Sequence, residues 1–256
     1  MMSVTPSIKM ETNEDRMIEF GDSIIANLPE GTLIEMRDAG ERVVKCNRVL
    51  SKIGKNLVGE LLKDVETFFE WSHYPDGDVY DQVTHSQYYY HAHPPEERSN
   101  EHGHFHTFLR PYGMPNEVKP APVSDFEAPK NPDDALSHLV AVSMDSAGLP
   151  IKMFTTNRWV TGEIWYDASH VKMMLPYFEM DHAQPSWPVN IWLTSILMLF
   201  RPQIQALIDE RDDVVDAWRT AYPKENVFED RNLEVTTELM IDVDTQIRLI
   251  KKCLNV

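Results

Sequence analysis

Apolar residues recur at helical intervals through the N-terminal quarter of the chain. Met17, Ile18, Phe20, Ile24, Ile25 and Leu28 form a rough stripe within residues 12–28, which Pro29 and Gly31 interrupt. From Leu33 to about Phe69 the positions Val43, Cys46, Leu50, Ile53, Leu57 and Leu61 step by three or four, predicting one long helix or two, bent at Gly54 or Gly59. The stripe then stops. Residues 71–111 are dominated by Tyr, Trp, His, Asp and Gln, and read as a long irregular functional segment leading into a strand at about 103–110. Residues 111–134 carry six prolines and predict a surface excursion, since such a segment neither continues a helix nor fits a central strand.

Alternation returns at 137–145 (SHLVAVSMD) and 151–157 (IKMFTTN), two strands joined by a Gly-containing turn, and a third strand is expected at about 160–166. Residues 167–178 begin with an Asp or Ser cap and turn helical. A helix is expected from about 188 to 200 and a second, with Pro202 in its first turn, to about 222. A short strand or turn at 233–237 and a closing helix complete the chain. The predicted class is α+β: a small antiparallel sheet of about three to five strands over residues 103–166, packed by N-terminal and C-terminal helices. A chain of 256 residues with 42% apolar residues can bury a full core, and a single domain with a flexible N-terminus at 1–11 is the expectation.

Charge and cysteine content narrow the function classes. A net charge of −17 opposes a nucleic-acid partner, because that binding depends on Lys and Arg at phosphates. The longest apolar run, residues 191–200, is broken by Thr194 and Ser195 and is too short to span a membrane, and the N-terminus lacks the pattern of a secretory signal, so a cytoplasmic location is expected. The two cysteines, Cys46 and Cys253, offer neither a disulfide framework nor a thiolate cluster. A bound metal would therefore take nitrogen and oxygen ligands.

Seven of the ten histidines lie between His73 and His106, and two of their groups, His91/His93 and His102/His104/His106, are spaced two apart. In a strand that spacing puts imidazoles on one face, and imidazole is the commonest transition-metal ligand. At about 3.4 Å rise per residue the outer members of the second group are about 14 Å apart, so two adjacent members at most share an ion unless Gly103 bends the chain. The candidate metal ligands are His91, His93, His102, His104 and His106, with Glu101, Glu163 and His85 next in line. Glu163 reads equally as a ligand, as a partner that orients a histidine, as a general base, or as half of an ion pair with Arg110 or Lys152. Arg110 is a candidate anchor for a substrate acid group, and Tyr90, within the run 88–90, a candidate phenol at the reacting centre. His138, in line with Val140, Val142 and Met144, reads as structural.

Phosphate loops, GxSxG elbows, HExxH helices and CxxC pairs are absent. The leading expectation is thus an enzyme with one divalent transition metal, iron or zinc, acting by oxidation or hydrolysis on a small, acidic organic molecule. The alternatives are a non-catalytic module with a structural or pH-sensing histidine cluster, and a metal-free acid–base enzyme using a His–Glu pair. Association into a homo-oligomer is compatible with the sequence.

Overall fold

The computed structural model describes residues 23–94, 96–98, 100–123 and 127–256, so the segment 1–11 and most of the stripe at 12–28 lie outside the described residues. Helix α1 (Glu30–Ser51) begins after Pro29 and buries Leu33, Met36, Val43, Cys46 and Leu50 along one face. The chain turns at Gly54, which takes the left-handed φ of 70°, and re-enters a short helix, α2 (Leu57–Leu61), where Asn56 caps by accepting the Gly59 N–H at 2.7 Å. Residues 62–69 are not helical, so the second helix stops short of the predicted end.

Six antiparallel strands follow in sequential order: β1 (Tyr74–Tyr80), β2 (Ser86–His91), β3 (Gly103–Leu109), β4 (Ser137–Met144), β5 (Pro150–Thr156) and β6 (Val235–Met240). The class is α+β with an antiparallel sheet, one strand larger than expected and extending beyond 103–166 on both sides. Residues 71–111 contain three of these strands: β3, which was expected, and β1 and β2, in the part read as irregular. Their aliphatic signal is missing because both faces of β2 are buried under polar aromatic side chains instead. The expected strand at 160–166 does not form. Asn157 accepts the Arg158 N–H at 2.9 Å and starts a one-turn helix, α3 (Arg158–Thr161), which Gly162 ends at a left-handed φ of 65°.

Helices α4 (Ala168–Met174), α5 (Trp187–Leu199) and α6 (Arg201–Ala221) intervene between β5 and β6, and α7 (Val243–Leu254) closes the chain. They leave β5 and β6 as direct neighbours. The helices cover one face of the sheet: Tyr88 Oη donates to Asn190 Oδ1 of α5 at 2.8 Å, Phe105 meets Trp192, and Thr237 Oγ1 donates to the Leu207 carbonyl of α6 at 3.1 Å. No single helix among the described residues is long and apolar enough to cross a membrane; α5 and α6 are so only as a pair bent by 71°. Trp192, Leu193, Ile196 and Leu199 of α5 are buried in the core.

The second face of the sheet carries the polar residues and is covered by loops. Pairing of β2 with β3 sets His91 opposite His104 and Tyr89 opposite His106. Pairing of β3 with β4 sets Ser143 opposite His104, and β4 with β5 sets Lys152 opposite Ser143 and Phe154 opposite Ala141. A bulge at Leu139 shifts the register, so that His138 stands opposite Phe108 and joins the His106 face, away from Val140 and Val142. The Pro-rich excursion closes on itself at its base, where Tyr112 N–H donates to Asp133 Oδ1 at 3.1 Å.

Gly103 opens β3 where a Cβ would meet the His91 carbonyl oxygen at 2.5 Å and the Tyr90 hydroxyl at 2.6 Å. Replacing Gly103 with Ala should therefore cost about 2 kcal/mol through overpacking against backbone, read as a lower denaturant midpoint at unchanged m-value. An unchanged midpoint would mean that the β2–β3 contact yields freely.

Candidate metal centre

Three imidazoles converge where β2, β3 and the loop after β2 meet. One ring nitrogen from each of His91, His93 and His104 lies within 4.8 Å of the other two, so the three could hold one metal ion. His91 Nε2 and His104 Nε2 face each other at 2.7 Å. With metal–nitrogen bonds of about 2.0–2.1 Å, two ligands at right angles stand about 2.9 Å apart, so a small ring rotation separates this pair to ligand spacing.

The partners of the other ring nitrogens decide the tautomers. His104 Nδ1 contacts Glu101 Oε1 at 2.6 Å, and His93 Nδ1 contacts Glu97 Oε2 at 3.2 Å. An ionised carboxylate only accepts, so both rings carry the proton on Nδ1 and present an Nε2 lone pair. Carboxylates bonded to the far nitrogen of a histidine are the usual outer support of metal-ligating imidazoles. Burial, followed by the neighbouring His93, pulls the His91 imidazole down to about 3, and burial followed by His91 holds His104 well below the ordinary histidine value. Both rings are therefore uncharged at neutral pH, the form that binds a metal.

His106 stands beside the triad, its ring centre 4.8 Å from that of His104, with Nδ1 3.0 Å from His138 Nε2. His138 in turn lies 3.5 Å from Thr156 Oγ1, making a polar row across β3, β4 and β5. The sequence pattern assigned His138 to a structural role because alternation from Val140 places it on the helix face; the bulge at Leu139 is invisible to that pattern. Three buried side-chain atoms without hydrogen-bond partners among the described residues surround His104: Glu101 Oε2, His106 Nε2 and Ser143 Oγ.

His102 does not join the cluster. The chain leaves the strand at Gly103, where Tyr90 passes over the bare Cα, and His102 Nδ1 meets Tyr90 Oη at 2.7 Å on the helix side of the sheet, against Phe68. Tyr90 is thereby also held away from the triad. Arg110, at the other end of β3, donates to Gln87 Oε1 and to Asp134 Oδ1, both at 2.7 Å, and lies over the Tyr80 ring; His85 sits there too, with Tyr80 and Asp133. Glu163 is buried, accepting the His138 backbone N–H at 2.7 Å and the Thr161 hydroxyl at 3.3 Å, so that His138 and His106 separate it from the triad. It pairs with neither Arg110 nor Lys152.

Two residues near the centre carried no signal in the sequence. Trp71, at a left-handed φ of 66°, lays its ring 4.1 Å from that of His93 and is tied down by its N–H to the Ala92 carbonyl. Arg98 lies over the Phe154 ring, which in turn packs edge-on against His104 at 5.1 Å. His93 and Glu101 line two hollows: one of about 600 Å3 with Arg98, Lys152, Glu234 and Glu238, and one of about 340 Å3 with Phe68, Glu70 and His102. A larger hollow of about 820 Å3, beside Trp218 and Tyr222 at the end of α6, contains no histidine.

Fold and site together define an α+β protein with a histidine cluster on the loop-covered face of an antiparallel sheet. Residues 37–241 match the family described as a domain of unknown function (DUF6969), and the chain belongs to that family. No curated protein and no solved structure matches it.

Burial pushes Glu163 up from 4.5 to about 7, against the opposing pull of Arg211 and the His138 N–H. Between those pH values the folded chain holds a proton that the unfolded chain has lost, so Glu163 lowers stability progressively as pH rises from 4.5 to 7. Glu163→Gln keeps an acceptor for His138 and removes this linkage. Melting curves should show the variant gaining on the wild type across that window and levelling off above it; parallel curves would mean that Glu163 ionises normally.

Proposed function

We propose that this protein is a metal-dependent enzyme with a mononuclear centre formed by His91, His93 and His104, acting on a small organic molecule in the larger of the two hollows lined by His93 and Glu101. The carrying observation is that one ring nitrogen from each of His91, His93 and His104 lies within 4.8 Å of the other two, while His93 and His104 each donate a hydrogen bond from Nδ1 to a glutamate. The donor set fits an iron or zinc ion: nitrogen ligands, those of His91 and His104 uncharged by burial, with carboxylates behind His93 and His104 and, among the described residues, unpartnered buried polar atoms around His104.

Three protein ligands leave coordination positions for water or substrate, which is the arrangement of catalytic rather than closed structural sites. When bound, ferrous iron would supply oxidation chemistry and zinc an activated water for hydrolysis. Glu101 would orient His104 through Oε1, and its buried Oε2, without a hydrogen-bond partner among the described residues, would be available as a proton acceptor. The His93 and Trp71 contact would fix the most exposed ligand ring. In the metal-free His–Glu alternative the pairs at hand would be His104–Glu101 and His93–Glu97, since Glu163 touches the backbone of His138 and not its ring; stoichiometric metal content separates the two readings.

Elemental analysis of untagged protein purified without a metal column should find one iron or zinc per chain, and His104→Ala should lose it. Glu101→Gln should weaken metal affinity by about 10–100-fold while leaving the fold intact by circular dichroism. Metal-free protein whose melting temperature responds to neither added iron nor added zinc would overturn the proposal.

A further inference from the structure

Two cations share one aromatic ring in the larger of the two hollows by the triad. The Arg98 guanidinium carbon lies 5.0 Å from the Phe154 ring centre and Lys152 Nζ 5.5 Å from it, while His104 packs against the same ring. Phe154 and Lys152 come from the site face of β5, so the sheet itself sets this juxtaposition. Arg98 Nη1 is 4.0 Å from Glu101 Oε1, the same oxygen that receives the His104 Nδ1 proton. The guanidinium is thus one carboxylate away from the metal-ligating ring.

The guanidinium is mostly covered, with 12% of its side chain exposed, yet only Nη2 makes a hydrogen bond among the described residues, to Glu234 Oε1 at 2.6 Å. Its other N–H donors make no hydrogen bond among the described residues, Nη1 having only the 4.0 Å approach to Glu101. Glu234 is 41% exposed, so the inner cation is paired with an outer anion. Lys152 repeats the pattern with Glu238 at 3.0 Å. Exposed ion pairs contribute little, whereas a planar carboxylate matches the guanidinium fork with two parallel hydrogen bonds. The remaining glutamates of the hollow, Glu97 and Glu101, are engaged by His93 and His104.

We infer that this hollow binds a small organic carboxylate, with Arg98 as the bidentate anchor and Lys152 as a second cation, directing the rest of the molecule toward the His91/His93/His104 centre. The inference rests on the metal reading only for the fate of the bound molecule; the anion site itself is made of Arg98, Lys152 and Phe154. The acid-group anchor expected at Arg110 falls instead to Arg98, because Arg110 is consumed by Gln87, Asp134 and the Tyr80 ring.

Isothermal titration of the full chain with benzoate, benzamide and benzylamine, with and without added zinc, tests it. Benzoate should bind about tenfold or more tightly than the uncharged amide and the amine, and Arg98→Gln should erase that preference. Glu234→Gln frees the guanidinium and should tighten benzoate, an effect that a merely structural Arg98 would not show, and it keeps the test open should Arg98→Gln fail to fold. Benzylamine binding best, or an unchanged preference in Arg98→Gln, would overturn the inference. If zinc binds without any carboxylate preference, the anion site fails alone; if the Arg98-dependent preference appears in a chain that takes up no metal, the metal reading fails alone.

Discussion

The cost of burying imidazoles governs this structure. A sheet whose central strands are covered on both sides must satisfy or neutralise every polar group it hides. Here β3 is buried along its whole length and carries His104 and His106 on the face away from the helices. Desolvation drives these rings to their uncharged form, Glu101 accepts a hydrogen bond from His104 Nδ1–H, and His138 partners His106. The features by which the cluster could hold a metal, uncharged His91 and His104 rings whose Nε2 atoms face each other and a His104 Nδ1 fixed by Glu101, follow from the requirement that it be tolerable in the fold. Metal-binding chemistry and packing are therefore coupled in the same side chains.

Much of the architecture was legible in the sequence. The aliphatic periodicity located α1, α5, α6 and α7, and period-two alternation with a glycine turn located β4 and β5. Both signals depend on a contrast between apolar and polar faces, and they fail where the contrast vanishes. In β2 the face toward the helices is built from Ser86, Tyr88 and Tyr90 and the other from Gln87, Tyr89 and His91, so neither face reads as apolar. Residues 160–166 alternate well enough for a strand, but the Asn157 cap and Gly162 determine the local backbone instead.

The histidine cluster was legible in composition and only partly in geometry. Two-apart spacing brought His91, His93 and His104 forward; pairing across β2 and β3 unites His91 with His104, and the loop after β2 adds His93. The same spacing could not foresee that the chain departs from the strand at Gly103 and turns His102 to the other side, nor that a bulge at Leu139 brings His138 around. Arg98 was invisible because a guanidinium in a loop has no periodic position; its role depends on Phe154, more than fifty residues away in the sequence.

The row Thr156, His138 and His106 crosses three strands on one face, with Glu101 tied to His104 beside it. A strand normally finds its register because a one-residue slip would expose its apolar side. Strands buried on both sides lack that penalty, since a slip merely exchanges one covered face for the other. In β3 and β4 the discrimination passes to the polar row: a slip would strand several buried nitrogens and oxygens without partners, at a cost that apolar packing would not recover. The histidines therefore act as alignment pins for the sheet, and a variant emptied of them would lose accuracy of strand pairing before it lost hydrophobic content.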